Sequence, residues 1–253
     1  MIIATFNVNS VRTRLAILQQ WLNEVRPDFL FMQETKTQDQ FFPEATFKEL
    51  GYMSYFHGEK SYNGVAALVK NGLNDVNVTF GFYDGEFDTR VLTLRYGELV
   101  ILNTYVPQGK SITHPDFIVK KKFFARVREI IEREKFLLWL GDLNVAPEEI
   151  DVTHPENKRD HVCFCEEIRG VFAETKRGLV DVLRKFDKNS GVYTFFDYRV
   201  KDAVARKIGW RIDHMLATEN LAALAVKCYP DIRPRTWERP SDHVPLIGEF
   251  INA

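Results

Sequence analysis

The sequence is poor in cysteine and in long apolar runs, and these two shortages exclude whole classes of protein. The three cysteines, Cys163, Cys165 and Cys228, are an odd number, and the Cys-x-Cys spacing lacks the second pair that a zinc ribbon requires. We therefore expect reduced thiols in the cytoplasm. No apolar run reaches the length of a membrane span, and the first residues read as a strand, with no signal or transit segment.

The sequence also lacks an excess of charge of either sign. The formal net charge is −1, so the sequence carries no global basic field that would indicate a polyanionic partner. Any surface that binds phosphates must therefore be local. Low-complexity tracts, internal repeats and linkers rich in glycine, serine or proline are absent from the sequence as well. Because 253 residues with 45% hydrophobic content can bury a sizeable core, we expect a single domain over residues 1–253.

What the sequence does contain is a series of short apolar strands that end in polar residues. The clearest is Phe136–Leu140, a run typical of a strand buried on both faces, which stops at Gly141 and is followed at once by Asp142 and Asn144. Taken alone, Asp-x-Asn at a strand end usually indicates turn chemistry, because both side chains cap their own backbone. A turn and a functional site are both open interpretations of this stretch.

The sequence repeats this arrangement, and the repetition favours a functional site. Six predicted strands carry polar residues at or near an end: Asn7, Glu34, Asn103 with Tyr105, Asp142 with Asn144, Asp213, and Asp242 with His243. If these ends converge, the crowded carboxylates need a cation to offset their repulsion. Oxygen ligands without thiolates or several histidines favour Mg²⁺ or Mn²⁺ over Zn²⁺. Such a site predicts metal-dependent hydrolysis of a phosphate ester.

Some members of this set also have plain structural interpretations. Glu34 could be a surface carboxylate just past a strand, and Tyr105 a packing residue. Asp213 is different, because it lies inside the apolar stretch Gly209–Ala217 and a buried carboxylate requires a partner. We expect His243 to be that partner, since a buried aspartate orients an imidazole and raises its pKa.

Apolar periodicity predicts the other elements. Further strands are expected at 2–6, 28–32, 52–56, 64–70, 76–80, 91–94, 99–106, 193–198 and 245–250, and helices at 11–26, 41–50, 115–135, 163–175, 178–186 and 221–226. The helix over 115–135 carries a lysine run, 120–122, which we interpret as part of a solvated face.

Nine stretches of the sequence, taken in order, resemble the exonuclease III family of class II abasic-site endonucleases, within the endonuclease/exonuclease/phosphatase superfamily. They are FNVNS, FLFMQETK, YNGVAALVK, LNTYVPQG, WLGDLNVAPEEIDV, GLVDVLR, YTFFDYR, GWRIDHMLAT and SDHVP. They run nearly from end to end, so the resemblance is highly specific. It implies an α+β fold of the DNase I-like type, a four-layer α/β sandwich in which helices flank two packed mixed β-sheets.

The resemblance also implies roles for the polar strand ends. Glu34 resembles the principal metal ligand, with Asn7 and Asp242 close to it, and the ion would be Mg²⁺ or Mn²⁺. Asp142 resembles the residue that orients or deprotonates the attacking water, and Asn144 would help to position that water. Whether Asp142 acts as a base or as an acid toward the leaving group is left open.

On the substrate side, His243 with Asp213 resembles the imidazole that contacts the scissile phosphate, and Tyr105 resembles a second phosphate contact. The apolar side chains that would enclose a baseless sugar are Phe195, Trp210 and Ile212. Without the resemblance, core packing is the simpler interpretation of the two aromatic residues. The cationic residues expected to contact the DNA backbone are Arg199, Lys201, Arg206 and Lys207.

The implied activity is hydrolysis of the phosphodiester 5′ to an abasic site in duplex DNA, leaving a 3′-hydroxyl and a 5′-deoxyribose phosphate, as in base excision repair. Gln108, where the family usually has Asn, and Phe196, where Trp is common, leave open the balance with 3′-repair and 3′–5′ exonuclease activities. Two alternatives are a superfamily relative that hydrolyses another phosphate ester and an inactive DNA-binding module. We expect a monomer that binds double-stranded DNA containing abasic sites or 3′ ends.

Overall fold

A computed structural model describes residues 1–251, so the last two residues of the domain predicted over 1–253 lie outside the described part. Its strands are β1 (Ile2–Asn7), β2 (Phe29–Gln33), β3 (Tyr52–His57), β4 (Val65–Lys70), β5 (Val76–Phe80), β6 (Val91–Tyr96), β7 (Leu99–Tyr105), β8 (Leu137–Asp142), β9 (Leu179–Asp181), β10 (Asp213–Thr218), β11 (Ala225–Pro230) and β12 (Leu246–Phe250). Its α-helices are α1 (Leu15–Val25), α2 (Glu44–Glu49), α3 (Pro115–Ile131), α4 (Glu166–Thr175), α5 (Val182–Phe186) and α6 (Glu219–Leu224). Within this range no helix combines the length and the apolar character needed to cross a membrane.

The strands form two mixed sheets of six strands each. The first has the order β3-β4-β2-β1-β12-β11 and the second the order β5-β6-β7-β8-β10-β9. The sheets pack face to face through one shared apolar core, α1 and α2 cover the outer face of the first sheet, and α3 and α4 cover that of the second. The predicted four-layer α/β sandwich of the DNase I-like type is therefore confirmed.

The central strands are continuously apolar because both faces of each sheet are covered. Along β8, Leu138 and Leu140 pack between the sheets, whereas Leu137 and Trp139 pack toward the helices. Side chains alternate across a strand, so every second residue shares the inter-sheet face. Asp142 continues the alternation of Leu138 and Leu140 and is therefore directed between the sheets, at the end of its strand.

The same alternation directs other polar strand ends into the inter-sheet layer. Asn7, Tyr105 and Asp213 each lie an even number of positions from residues of the shared core, which are Ile3, Ile101 and Met215 respectively. Across the ladders of the second sheet, Asp142 is the register partner of Tyr105 on β7 and of Asp213 on β10. One end of the layer between the sheets is therefore polar, while its interior is apolar.

Two predicted strands differ from the structure near this polar end. The stretch 193–198 is not a strand, and of its residues Phe195 alone forms β-bridges, with Trp210 and with His243. The strand expected from Gly209 begins only at Asp213. The aromatic pattern of both stretches reflects packing around a cavity, where each segment bonds to the other instead of extending a sheet.

All six predicted helices differ from the observed helices in extent. The helix expected from residue 11 begins at Leu15, and the one expected from residue 163 begins at Glu166. The helix expected over 178–186 starts instead as strand β9, and α5 follows Asp181. The Asp181 carboxylate accepts a hydrogen bond of 3.2 Å from the backbone N–H of Arg184 and so caps the helix at that point.

Candidate active site

A cavity of about 510 Å³ opens at the polar end of the inter-sheet layer. Its lining combines catalytic candidates from several strand ends with an apolar wall, and consists of Glu34, Tyr105, Gln108, Asp142, Asn144, Lys158, His161, Cys163, Phe195, Asp197, Arg199, Trp210, Ile212, Asp242 and His243. Asn7 and Asp213 are fully buried behind this lining. The structure thus brings together most of the residues singled out in the sequence.

Two carboxylates and an imidazole lie at the centre of this cavity. Oxygen atoms of Glu34 and Asp142 and a ring nitrogen of His243 lie within 4.8 Å of one another, close enough to hold a metal ion. The Asn7 side-chain amide donates hydrogen bonds to Glu34 Oε1 at 2.8 Å and to Asp142 Oδ2 at 2.9 Å. Asn7 therefore holds the two carboxylates side by side, and its own oxygen accepts from the backbone N–H of Asn9 at 3.0 Å.

Asp142 uses its two oxygens differently. Oδ1 accepts a hydrogen bond of 3.0 Å from the backbone N–H of Asn144, whose φ of +51° is the left-handed conformation that asparagine tolerates. Oδ2 faces Asn7 and lies 3.8 Å from His243 Nε2. Asp-x-Asn therefore forms the expected turn, and this turn leaves Asp142 Oδ2 in the cluster with Glu34 and His243. Burial raises the pKa of Asp142 to about 7, against the opposing effect of His243.

His243 is held by a buried aspartate. Its Nδ1 lies 2.8 Å from Asp213 Oδ2, and both side chains are almost fully buried. Burial alone would lower the pKa of His243, but the facing carboxylates, above all Asp213, outweigh burial and raise the pKa to about 10. Among the described residues, Asp213 Oδ1 has no hydrogen-bond partner. The imidazole is therefore fixed in orientation, with Nε2 directed toward the cavity side of Asp142.

Glu34 and Asp242 each make a further contact with a residue near the cluster. Glu34 Oε2 forms an ion pair of 2.6 Å with Lys36 Nζ. Burial would raise the pKa of Glu34, but Lys36 and the Asn7 amide outweigh it and lower the pKa. Asp242 lines the cavity but lies outside the three-residue cluster, and it accepts a hydrogen bond of 3.0 Å from the Asn9 side-chain amide.

The donor set fits a hard divalent cation. Glu34 and Asp142 contribute oxygen atoms, and the repulsion between these two close carboxylates is the kind that a cation offsets. Tyr105 stands beside them, and burial followed by the charges of Glu34 and Asp142 raises the pKa of its hydroxyl well above the ordinary value. The phenol therefore stays protonated and can donate a hydrogen bond to an anion.

The structure brings Asn103 neither into the cavity nor into contact with the carboxylates at its centre. It is fully buried one layer deeper between the sheets, where its oxygen accepts from Gln33 Nε2 at 2.6 Å and its amide donates to Met32 O at 3.2 Å. Gln33 also donates to Thr5 Oγ1 at 2.8 Å. These side chains form a polar layer beneath the site and do not reach a substrate.

The apolar wall of the cavity contains the three residues expected to enclose a sugar. Phe195, Trp210 and Ile212 pack in one cluster that also contains Phe164. Sequence reasoning missed two further neighbours of Trp210, because they lie in a loop without periodicity. The ring of His161 lies 4.7 Å from the Trp210 ring, and Lys158 Nζ lies 5.8 Å from it.

The predicted basic residues lie in the turn-rich segment that joins the two pocket stretches. Arg199 lines the cavity, but its guanidinium pairs with Asp197 at 2.6 Å. Lys201 and Arg206 are exposed and do not line the cavity, and Arg206 donates to Lys201 O at 3.1 Å. Lys207 is exposed as well. Of these four cations, Arg199 alone lines the cavity, and its charge is already paired with Asp197.

The interpretation of the lysine run 120–122 as part of a solvated face is wrong for Lys120. Its side chain is fully buried, and its ammonium donates to the carbonyl oxygens of Gln108, Asn144 and Val162 at 3.0, 2.8 and 2.7 Å. The reason is helical geometry. Lys120 lies three residues after Phe117 and four before Phe124, both buried, so it shares the apolar stripe of α3.

Arg211, between Trp210 and Ile212, anchors the pocket wall from behind. Its guanidinium binds both Asp151 oxygens at 2.6 and 3.0 Å and Asp181 Oδ2 at 2.7 Å. It also lies 3.0 Å from His214 Nδ1. Because a guanidinium only donates, Nδ1 must accept, and His214 is the neutral tautomer whose Nε2–H donates to Val145 O at 2.8 Å.

This network predicts a loss of stability in mild acid. Burial and Arg211 lower the pKa of His214 from 6.5 to about 4, so the unfolded chain takes up the proton first. The contribution of His214 to the free energy of unfolding should therefore be complete above pH 6.5 and fall by about 3 kcal/mol as the pH drops toward 4. Urea unfolding of His214→Gln should show a shallower decline than the wild type. Replacement of the exposed His154 by Gln is the control, and an equal slope in all three proteins would contradict the prediction.

Comparison with known proteins places this geometry in a family. Residues 4–243 match the model of the Endonuclease/Exonuclease/phosphatase family. The chain is 31% identical to exodeoxyribonuclease III of Haemophilus influenzae, over 97% of this chain and 98% of that protein.

Two solved structures share the whole fold. An AP endonuclease from Archaeoglobus fulgidus is 44% identical with a TM-score of 0.92, and 99% of each chain is covered. A 3′ phosphatase from Neisseria bound to a product DNA hairpin is 34% identical with a TM-score of 0.92, again over 99% of each chain. The chain therefore belongs to the Endonuclease/Exonuclease/phosphatase family, and within it to the exonuclease III family of abasic-site endonucleases.

Proposed function

We propose that this nuclease hydrolyses the phosphodiester 5′ to an abasic site in duplex DNA, with Mg²⁺ as its ion, leaving a 3′-hydroxyl and a 5′-deoxyribose phosphate. The observation that carries the proposal is the position of the Glu34, Asp142 and His243 cluster directly beside the apolar wall of Phe195 and Trp210. A phosphate held at the cluster would have its sugar against that wall. A nucleotide without a base costs the least to extrude into such a slot.

We assign the ion to Glu34, with Asp142 beside it and Asp242 near the rim of the cluster. Nucleases of this family depend on a metal ion, and Mg²⁺ suits a set dominated by carboxylate oxygens. When bound, the ion supplies positive charge that stabilises the developing charge on the phosphoryl and leaving oxygens. Asn7 acts mainly as the bridge between Glu34 and Asp142, since its amide hydrogens already bond to both.

We assign the attacking water to Asp142. Its Oδ2 faces the cavity, and a pKa near 7 suits a group that takes up or releases a proton at neutral pH. Asn144 contributes through its backbone N–H, which fixes Oδ1, while its side chain donates to Val106 O at 2.9 Å. Asp142 is therefore held rigidly enough to orient a water for in-line attack.

We assign phosphate binding to His243 and Tyr105. A raised pKa keeps the imidazole of His243 protonated at neutral pH, so Nε2–H carries a positive charge toward an anionic oxygen. Asp213 maintains the orientation of the ring. The Tyr105 hydroxyl is a second donor on the opposite side of Asp142 in the β7–β8–β10 register.

We extend the proposal to the DNA backbone and to 3′ ends. The exposed cations Arg199, Lys201 and Arg206 would contact phosphates flanking the lesion, which fixes position without reading sequence. A 3′ end frayed from its partner could enter the same cavity, which supports 3′-phosphodiesterase or 3′–5′ exonuclease activity beside incision. We also propose that residues 1–253 act as one catalytic domain and as a cytoplasmic monomer. Size-exclusion chromatography with light scattering tests the monomer.

The test is incision of a labelled duplex that carries one stable abasic analogue. We expect a single cut 5′ to the lesion with Mg²⁺ and no cut with EDTA, and the 3′ product should be extendable by a polymerase because it ends in a hydroxyl. A parallel reaction offers small phosphate esters under the same conditions. An intact duplex at micromolar enzyme, with turnover of an ester, would favour the alternative of a superfamily relative that hydrolyses another phosphate ester.

Trp210→Ala should impair abasic incision selectively. The substitution removes the largest surface of the sugar slot, and we expect kcat/KM for the abasic duplex to fall about 10- to 100-fold. Cleavage of a simple phosphodiester, which does not use the slot, should change little. The measurement compares the two substrates in one enzyme preparation. An equal loss on both substrates would indicate damage to the carboxylate cluster and contradict the assignment of the slot.

A further inference from the structure

Lys120 joins three loops that surround the active site. Its ammonium lies within 3.0 Å of the carbonyl oxygens of Gln108, Asn144 and Val162. Gln108 belongs to the loop after β7, Asn144 to the loop after β8, and Val162 to the long loop before α4. The three carbonyls come from segments distant in sequence, and the lysine is the point at which they meet.

Each of these loops carries residues of the cavity lining. Gln108 itself lines the cavity, Asn144 holds Asp142 Oδ1 through its backbone N–H, and Val162 stands between His161 and Cys163, which also line it. A contact to Asn144 O therefore acts on the peptide that follows the Asp142 turn. Lys120 reaches the catalytic carboxylate through one intervening residue and touches no substrate.

Burial of the Lys120 ammonium carries a cost in free energy. The side chain is completely shielded from solvent, and among the described residues no carboxylate lies within 4.0 Å of its Nζ, whose contacts are the three carbonyl oxygens. Three carbonyl acceptors require three N–H donors, which the ammonium has and the neutral amine lacks. A buried charge without an ion-pair partner carries a desolvation cost that apolar packing at the same position would avoid.

We propose that Lys120 is a positioning residue, whose ammonium holds the three loops in register so that Asp142 and the cavity wall keep their catalytic arrangement. The proposal rests on the hydrolytic function proposed above. A displacement of about 1 Å at a reacting group can reduce the rate by about a hundredfold. The effect of losing Lys120 should therefore appear in the chemical step, and the affinity for DNA should be maintained.

The test compares Lys120→Met, which keeps the length of the side chain but has no donors, with Lys122→Met, an exposed lysine on the same helix. We expect Lys120→Met to lower the single-turnover rate of abasic incision by about 10- to 100-fold, while the dissociation constant for the duplex stays within about twofold of the wild type. Lys122→Met should match the wild type in rate.

Amide hydrogen exchange distinguishes a local effect on the three loops from an effect on the stability of the whole fold. In Lys120→Met, exchange should rise locally in the loops 106–110, 143–147 and 158–163, while the strands of both sheets keep their protection. Lys120→Gln is the second variant, with donors on a shorter chain, and should fall between the wild type and Lys120→Met in both rate and loop exchange.

The outcomes separate this proposal from the proposed function. A wild type that leaves the abasic duplex intact refutes the function, and the exchange comparison still decides whether Lys120 holds the loops. A folded Lys120→Met with wild-type rate, or with unchanged loop exchange, overturns the positioning role. Failure of both Lys120 variants to fold also overturns it, because the lysine would then serve the stability of the whole fold.

Discussion

Replacement of Asp142 by Asn is expected to lower the single-turnover rate of abasic incision by about 10²- to 10⁴-fold, with the affinity for DNA largely maintained. The asparagine oxygen can still accept from the backbone N–H of Asn144, so the turn is kept. The Oδ2 atom, which accepts from the Asn7 amide at 2.9 Å, is replaced by an NH₂ group that cannot accept. The negative charge of the carboxylate is also lost. The variant therefore keeps the scaffold and loses the group that handles the proton.

The measurement is a rapid-quench time course with enzyme in excess, combined with fluorescence anisotropy for the dissociation constant. Asp160→Asn is the matched control, because Asp160 is an exposed aspartate of the long loop before α4. Weakened binding with an unchanged rate in the bound complex would contradict the role of Asp142. A comparable loss in the control variant would indicate a general effect of charge on DNA binding.

Replacement of His243 by Ala is expected to lower the same rate by about 10²- to 10⁴-fold and, in addition, to destabilise the fold. The substitution leaves the Asp213 carboxylate buried without its imidazole partner, since Oδ2 loses the 2.8 Å contact and Oδ1 already lacks one in the described structure. Removal of one member of a buried pair costs about 3–5 kcal/mol. Urea unfolding measures this loss independently of catalysis.

The double variant His243→Ala with Asp213→Asn distinguishes the two effects. A neutral amide at position 213 removes the stranded charge, so the double variant should be more stable than His243→Ala alone. Its rate should stay low, because the imidazole is still missing. Additive losses of stability would show that the two side chains do not interact, and recovery of the rate would show that His243 does not contact the reacting phosphate.

The strand ends could be predicted from the sequence because burial leaves a simple pattern. Strands covered on both faces are apolar without interruption, so a polar residue such as Asp142 or Asn7 marks the end of the covered region. Position along the strand predicts that Asn103 belongs to the site, because the sequence pattern carries no information about depth between the sheets. Asn103 lies two residues before Tyr105 on the same face of β7, and this difference in position along the strand is enough to bury it in the core.

The spacing of apolar residues along α3 indicates that Lys120 is buried, although a run of three lysines suggests the opposite. Three lysines in succession suggest a solvated face, but the buried positions Phe117, Phe124 and Val127 of α3 define a stripe on which Lys120 falls. A charged residue on an apolar stripe is a signal of a specific partner. What no local pattern could supply was the identity of that partner, because the three carbonyls belong to loops far away in sequence.

The pocket wall was the least predictable part of the site from physical reasoning. Phe195 and Trp210 read as core aromatic residues in strands, and their mutual β-bridge depends on a contact between segments without regular structure. Lys158 and His161 contact Trp210 from a loop that has neither periodicity nor a motif. The positions of these side chains depend on tertiary packing. Resemblance to a family can predict such positions, whereas the periodicity of the sequence cannot.

The position of β12 between β1 and β11 brings residues near the two ends of the described chain together. Ile2 pairs with Glu249, and this pairing closes a loop that spans almost the whole chain. Such long-range closures are the slow events of folding. His243 lies just before β12, whereas Asp142 ends β8 and Glu34 directly follows β2, and both of these strands pair with neighbours closer in sequence. The imidazole at the cluster therefore depends on this closure, and we expect no incision by a molecule in which β12 has not paired.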